Sequence, residues 1–146
     1  MSKILGIDPG QAGGMAIIDG GTLVECVAMP STEHDINDFF ERNKDVDVAY
    51  LEQVHSMPQQ GVASTFKFGV SYGFLRGILV ANKIPFEDVT PMKWQKALGM
   101  NAKKGETKIK HKNDLKGKAQ QLFPKQKFTL KNCDAALIAY YGYKKN

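Results

Sequence analysis

The first apolar run of the chain, Ile4-Leu5-Gly6-Ile7, stops abruptly at Asp8 and a glycine-rich stretch, Pro9 to Gly14. Short apolar runs bounded by turn residues predict buried strands. Three follow in succession: KILGID (3–8), GMAIID (14–19) and GTLVECVAM (21–29). Asp19-Gly20-Gly21 between the last two predicts a tight hairpin turn, because glycine accepts positive φ without steric cost. The period then changes. In STEHDINDFFERN, Ser31 or Thr32 is placed to cap a helix whose apolar side is Ile36, Phe39 and Phe40. VDVAYLE (46–52) has the continuous apolar character of a buried parallel strand, and it too ends in a carboxylate, Glu52.

Further along, a loop leads into a long, largely apolar helix over about 62–82, more hydrophobic than a one-sided surface helix needs. PFEDV (85–89) predicts another short strand. Thr90-Pro91 predicts an N-cap with proline at the first helical position, opening MKWQKALG. NAKKGETK predicts a flexible basic loop. KIKHKNDLKGKAQQLF predicts a basic amphipathic helix with Ile109, Leu115, Ala119 and Leu122 on one side. Asn132 is placed to cap a last helix, NCDAALIAYYG, with Gly142 as its stop. Three antiparallel strands, helix, strand, helix, strand and then helices describe one α/β domain over 1–146. Its sheet is mixed and five-stranded, flanked by helices.

Charge changes this picture more than composition does. Residues 1–100 carry 8 Lys and Arg against 12 Asp and Glu, residues 101–127 carry 9 against 2, and residues 128–146 carry 3 against 1. A mildly acidic body with a concentrated basic segment fits a polyanionic partner, nucleic acid first. The plain counter-reading is a solvated lysine-rich helix face. No apolar run approaches the roughly 20 residues that span a bilayer, and no signal-peptide pattern opens the chain. The two cysteines, Cys26 and Cys133, lack metal or redox spacing. They fit small buried hydrophobes in a reducing compartment, so the expected location is the cytoplasm.

Asp8 and Glu52 both end predicted parallel-sheet strands, where ligands of open α/β sheets gather. Asp134 opens a helix whose other residues, Ala135, Ala136, Leu137 and Ala139, are mostly small. Small residues let that helix lie close to the sheet and bring Asp134 near Asp8. Converging carboxylates repel one another unless cations sit between them. An all-oxygen donor set suits Mg²⁺ or Mn²⁺, and two such ions about 3.5–4 Å apart support phosphodiester hydrolysis. Each residue also has a bland role: Asp134 at a helix dipole, Glu52 in a local pair, Asp8 in a turn. The run GQAGG resembles a phosphate loop in composition but leads into a strand without a lysine. Gly13 and Gly14 are read instead as bringing backbone close to whatever binds Asp8.

With these residues in place, the chain resembles the RuvC-type Holliday junction resolvases of the RNase H-like superfamily. GIDPG followed by GG-MAIID carries the resemblance, with LEQV, the GFLRG helix, TPMKWQKAL and the terminal DAALIA helix, in order over about residues 3–142. The resemblance implies an RNase H-like fold and a homodimer that resolves four-way DNA by paired, metal-dependent nicks. It also implies metal binding by Asp8, Glu52 and Asp134, with Mg²⁺ or Mn²⁺, two ions per site. The family usually carries a further acid or histidine one helical turn before the last aspartate. This sequence has Lys131 there, which suits contact with the scissile phosphate or the attacking water rather than ligation; His111 and Asp114 are the alternatives for the missing ligand. The small size and the basic stretch 101–118 resemble phage-borne members of the family, which act on branched DNA more broadly.

Phe66, Lys67 and Phe68 match the place where the family presents aromatics to the junction centre, although one phenylalanine is expected to be core. Arg76, Lys103, Lys104, Lys108, Lys110, Lys112, Lys116 and Lys118 are expected phosphate contacts, with Gln59, Gln60 and Ser64 beside them. Trp94 is expected in the core, and His34 and His55 are assigned no chemistry. Two rivals stand beside this reading. One is a non-catalytic protein that binds branched DNA, with Lys131 marking a lapsed metal site. The other is a phosphohydrolase or ATPase of the wider superfamily, disfavoured because 146 residues leave no room for a second lobe.

Overall fold

The computed structural model describes residues 2–54 and 59–146, so His55 lies outside the described residues. Five strands and five helices follow in the order β1 (Lys3–Asp8), β2 (Gly14–Asp19), β3 (Thr22–Ala28), α1 (Glu33–Arg42), β4 (Val48–Glu52), α2 (Val62–Ala81), β5 (Phe86–Val89), α3 (Pro91–Ala97), α4 (Lys108–Leu122) and α5 (Cys133–Lys145). The sheet order is β3-β2-β1-β4-β5. β1, β2 and β3 form an antiparallel meander, while β4 runs parallel to β1 and β5 parallel to β4. This is the predicted single mixed sheet. Gly20 and Gly21 both take positive φ, 58° and 90°, and make the two-residue turn between β2 and β3.

Strand alternation decides which side chains meet. Leu5, Ile7, Met15, Ile17, Ala49 and Leu51 face α1 and α2, packing with Phe39, Phe40, Leu75 and Leu79. Ile4, Ala16, Ile18 and Tyr50 face the other way, toward α3, α4 and α5. Because side chains alternate with period two, Asp8 and Glu52 fall on the same side as Ile4 and Tyr50. That is the α5 side.

Helix α5 is the centre of the second layer, with Cys133 through Ala139 all buried. Gly6 in β1 is what admits it. A Cβ there would overlap the backbone of Ala135 and Ala139, coming within 2.9 Å of Ala139 Cα. Gly14 does the same at the start of the helix, where a Cβ would reach 2.9 Å from the Lys131 carbonyl and 3.1 Å from Asn132 Cα. Gly13 and Gly14 therefore sit against the protein's own backbone, a Cβ on Gly13 overlapping the Asp8 carbonyl.

Three local expectations change. Asn132 is the residue before α5 but does not cap it: its Oδ1 accepts from the Thr129 amide at 2.8 Å. Gly142 does not end α5, which runs on to Lys145; it lies buried against the Tyr50 ring. Ile109 is 76% exposed, so the packed side of α4 consists of Leu115 and Ala119, both buried, with partly buried Leu122. Thr32, Thr90 and Thr107 cap α1, α3 and α4 by accepting from Asp35, Lys93 and Lys110 amides.

Candidate active site

Asp8 and Glu52 end adjacent parallel strands whose register, Gly6 beside Tyr50 and Ile7 beside Leu51, brings the two carboxylates together. Each carboxyl lies close enough to the other to perturb its titration. Asp134, buried in the first turn of α5, is close enough to act electrostatically on both. Burial pushes the Asp8 carboxyl well above the usual range, and the charges of Glu52 and Asp134 push it further. Glu52 is raised as well, first by burial and also by Asp134, while Trp94 opposes the shift. Trp94, fully buried, donates its indole N–H to Glu52 Oε2 at 2.8 Å. Two acids forced together out of water share a proton when no cation is present.

The cation that the structure does place here is Lys112. Its Nζ lies 2.6 Å from Asp134 Oδ2. Burial would discharge this amine, but Asp134 and Asp8 outweigh that effect and hold it as an ammonium. Cys133 Sγ lies 3.6 Å from the other oxygen, Asp134 Oδ1. Asp8, Lys112, Lys131 and Asp134 line one open cavity of about 360 Å³. A larger cavity of about 610 Å³ lies between the β3–α1 connection and α2, bordered by Thr32, Phe66 and Lys67. Size does not select the site here; the converging carboxylates do.

The donor set fits a hard divalent cation. It is made of carboxylate oxygens, those of Asp8 and Glu52 raised in affinity for protons first by burial and then by neighbouring negative charge, and a divalent ion relieves both costs. As the side chains stand, no three Asp, Glu, His or Cys groups among the described residues are gathered closely enough to hold a metal ion. Lys112 holds one oxygen of Asp134.

Sequence reasoning placed Lys112 among the sequence-independent phosphate contacts; in the structure its ammonium lies on Asp134. Extending the apolar stripe Leu115, Ala119 and Leu122 backwards by helical period lands on Lys112. A lysine at a stripe position was the available signal. Lys131 borders the cavity but is exposed and hydrogen-bonds none of the three carboxylates. Neither alternative to it reaches the site: His111 faces Gln95 at 2.9 Å and Glu106 at 3.3 Å, and Asp114 pairs with Lys110 at 2.9 Å.

Two expected phosphate contacts are already engaged. Arg76 forks onto both Asp88 oxygens at 2.7 and 2.9 Å and lies over the Tyr72 and Phe86 rings. Lys110 bridges Asp114 and Glu106. Lys103, Lys104 and Lys108 are exposed, and Lys116 and Lys118 half-buried, with no carboxylate within ion-pair distance. Phe66 is 73% exposed beside exposed Lys67, whereas Phe68 is half-buried beneath Gly10. Phe66 stands out of the surface, while Phe68 joins neither of the two hydrophobic core layers. Trp94 is in the core as expected, but its contact with Glu52 was not foreseen. Burial pushes the thiols of Cys26 and Cys133 up to about 12, consistent with unreactive cysteines.

No protein-family model matches this sequence, and no curated protein matches it. Solved structures do. T. thermophilus RuvC in complex with Holliday junction substrate superposes with a TM-score of 0.71 over 99% of this chain and 96% of that one, at 14% identity. The Thermus thermophilus RuvC structure gives 0.62 over 98% and 96%, at 16% identity. The chain has the RuvC fold. Within that fold Asp8, Glu52 and Asp134 come from β1, β4 and α5, the elements that the sequence motifs had picked out. No described helix is long and apolar enough to cross a membrane.

Proposed function

We propose that this protein is a Mg²⁺-dependent endonuclease that resolves four-way DNA junctions, and other branched DNA, by paired phosphodiester hydrolysis. The observation that carries the reading is the convergence of Asp8, Glu52 and Asp134 at the carboxyl ends of β1 and β4 in a RuvC fold. These three would hold Mg²⁺ or Mn²⁺, two ions per site. Bound there, the ions would activate water and stabilise the leaving oxygen. The protein's own part is to fix the carboxylates: the β1–β4 register sets Asp8 against Glu52, Trp94 orients Glu52, and Gly6 lets α5 bring Asp134 in. Lys131, at the rim, would meet the scissile phosphate.

Exposed Phe66 and Lys67, with Lys103, Lys104, Lys108, Lys116 and Lys118, would hold the DNA by stacking and phosphate contact. A homodimer is supported by the exposed face of α2. Val62, Val70 and Val80 stand out of the surface there, and Gly69, Gly73 and Gly77 recur along the helix with open space around them. Cytoplasmic location in a bacterial or phage-infected cell follows from the proposed substrate.

The second reading, a branch-binding protein without cleavage, draws on one observation: Lys112 holds an oxygen that a metal would need. Labelled four-way junction and linear duplex, incubated with Mg²⁺ or Mn²⁺ and either wild type or Asp8→Asn, separate the two. Symmetric nicks on the junction that vanish in the variant while binding persists are the expected result. Tight binding with no cleavage in either metal would overturn the nuclease reading.

A further inference from the structure

The contact between Lys112 and Asp134 has a consequence for the proposed nuclease, and rests on it. Among the described residues Lys112 is the one cation hydrogen-bonded to any of the three site carboxylates. Its stem rises from α4, a helix anchored to the core by Leu115 and Ala119, so the backbone beneath it is fixed. The head is not fixed. A lysine ammonium sits on a flexible four-carbon stem, and this side chain retains 31% of its exposure against 12% for Asp134. Lys112 also stands among lysines with no carboxylate partner of their own, Lys108 and Lys116, on the helix proposed to meet DNA. A phosphate arriving on that helix would offer the ammonium a second anionic partner closer to solvent.

We infer that Lys112 is a positioning residue acting as a substrate-released latch: it occupies Asp134 while the protein is free, and DNA backbone draws it away to open that carboxylate to the metal. An ammonium 2.6 Å from Asp134 Oδ2 both blocks the oxygen and repels a divalent cation from it. Removing the ammonium to a phosphate lifts both effects. The free protein is then a weak metal binder and the DNA complex a strong one. By linkage, metal raises affinity for DNA by the same factor as DNA raises affinity for metal. Such a device confines hydrolytic competence to the complex.

The test measures Mn²⁺ affinity by electron paramagnetic resonance, with and without a junction carrying non-hydrolysable phosphorothioate linkages at its centre. Wild type, Lys112→Met, Lys112→Arg and Lys125→Met are compared. Lys125→Met, at an exposed position just beyond α4 and outside the residues proposed to hold DNA, removes the same charge without touching the carboxylates. Expected for free Lys112→Met is Mn²⁺ binding at least about tenfold tighter than wild type, equivalent to about 1.4 kcal/mol. Lys112→Arg and Lys125→Met stay within about threefold of wild type. Junction tightens Mn²⁺ binding about tenfold in wild type and little in Lys112→Met. Thermal melting in chelator verifies that each variant is folded, and Lys112→Gln replaces Lys112→Met if the latter does not fold.

Equal Mn²⁺ affinity in wild type and Lys112→Met, or a junction effect unchanged by the substitution, overturns the latch and leaves the metal site standing. No Mn²⁺ bound by any protein, with or without junction, overturns the latch and the nuclease reading together.

Discussion

Replacing Gly6 by alanine adds one methyl group at the tightest point between the sheet and α5. That methyl would lie 2.9 Å from Ala139 Cα and closer still to the backbone of Ala135. Optimal carbon–carbon separation is about 3.5–4.0 Å, so α5 must retreat by about 0.6–1.1 Å. The obstacle is backbone inside a helix buried on nearly every side, so no rotamer change relieves it. Overpacking of this kind costs about 1–3 kcal/mol, and the rigid neighbour argues for the upper end. For a chain of this size, about 3 kcal/mol lowers the melting midpoint by about 6–12 °C.

The retreat has a second effect, because Asp134 precedes Ala135 and moves with it, away from Asp8. Misplacement near 1 Å at a reacting centre costs about 10²-fold in rate. Urea unfolding gives the first number, and junction cleavage at a temperature where the variant is folded gives the second. Ile7→Val is the control: Ile7 is fully buried next to Gly6 but faces the other layer. It should cost about 0.5–1.5 kcal/mol and leave cleavage unchanged. Stability of Gly6→Ala within 1 kcal/mol of wild type would refute the packing argument; lost stability with normal cleavage would refute the coupling of helix position to the site.

The remaining predictions concern charge, anchoring and assembly. The raised carboxyls of Asp8 and Glu52 mean that the folded state binds more protons than the unfolded state above the ordinary carboxylate range. Stability in chelator therefore falls as pH rises through their folded-state titration, and Asp8→Asn flattens that fall, read by denaturant melts between pH 4 and 8. Asp8→Asn should also be about 1–3 kcal/mol more stable than wild type at pH 8 without metal, since it removes a buried charge facing two others. Trp94→Phe deletes the donor to Glu52, costing about 1.5–3 kcal/mol in urea unfolding, and weakens Mn²⁺ binding as the glutamate loses its orientation. Gly73→Leu fills open space on α2, so it leaves monomer stability intact while shifting sedimentation to the monomer; a dimer that survives it would argue against α2 as the interface.

Most of the sheet was legible because its signals are local. The runs 3–8 and 14–19 match β1 and β2 residue for residue, and Thr32, Thr90 and the glycine pair at 20–21 do what their types predict. The meeting of Asp8 and Glu52 was legible for a related reason, since strand-end carboxylates on one face converge when the strands pair in parallel, and the small residues after Asp134 let its helix lie close to them. The misreadings come from contacts that cross between elements. Gly142 has the chemistry of a helix stop, but the Tyr50 ring against it makes it a packing residue inside α5. Arg76 has the chemistry of a phosphate contact, yet Asp88 in β5 takes its guanidinium. Lys112 is separated from Asp134 by 22 positions, and only the packing of α4 against α5 shows that this lysine faces the carboxylate.

The five-stranded sheet also acts as a partition. Everything ionisable in the proposed chemistry lies on the α5 side of it, while the protruding face of α2 belongs to the opposite layer. Substitutions that alter what α2 meets are thus insulated from the carboxylates by a dry wall of Leu5, Ile7, Ala49 and Leu51. Engineered complementary α2 surfaces would pair an intact subunit with an Asp8→Asn subunit without disturbing the intact one. Such a mixed pair would cut a single strand of a branched substrate, and would report whether each half of an assembly acts on its own or waits for its neighbour.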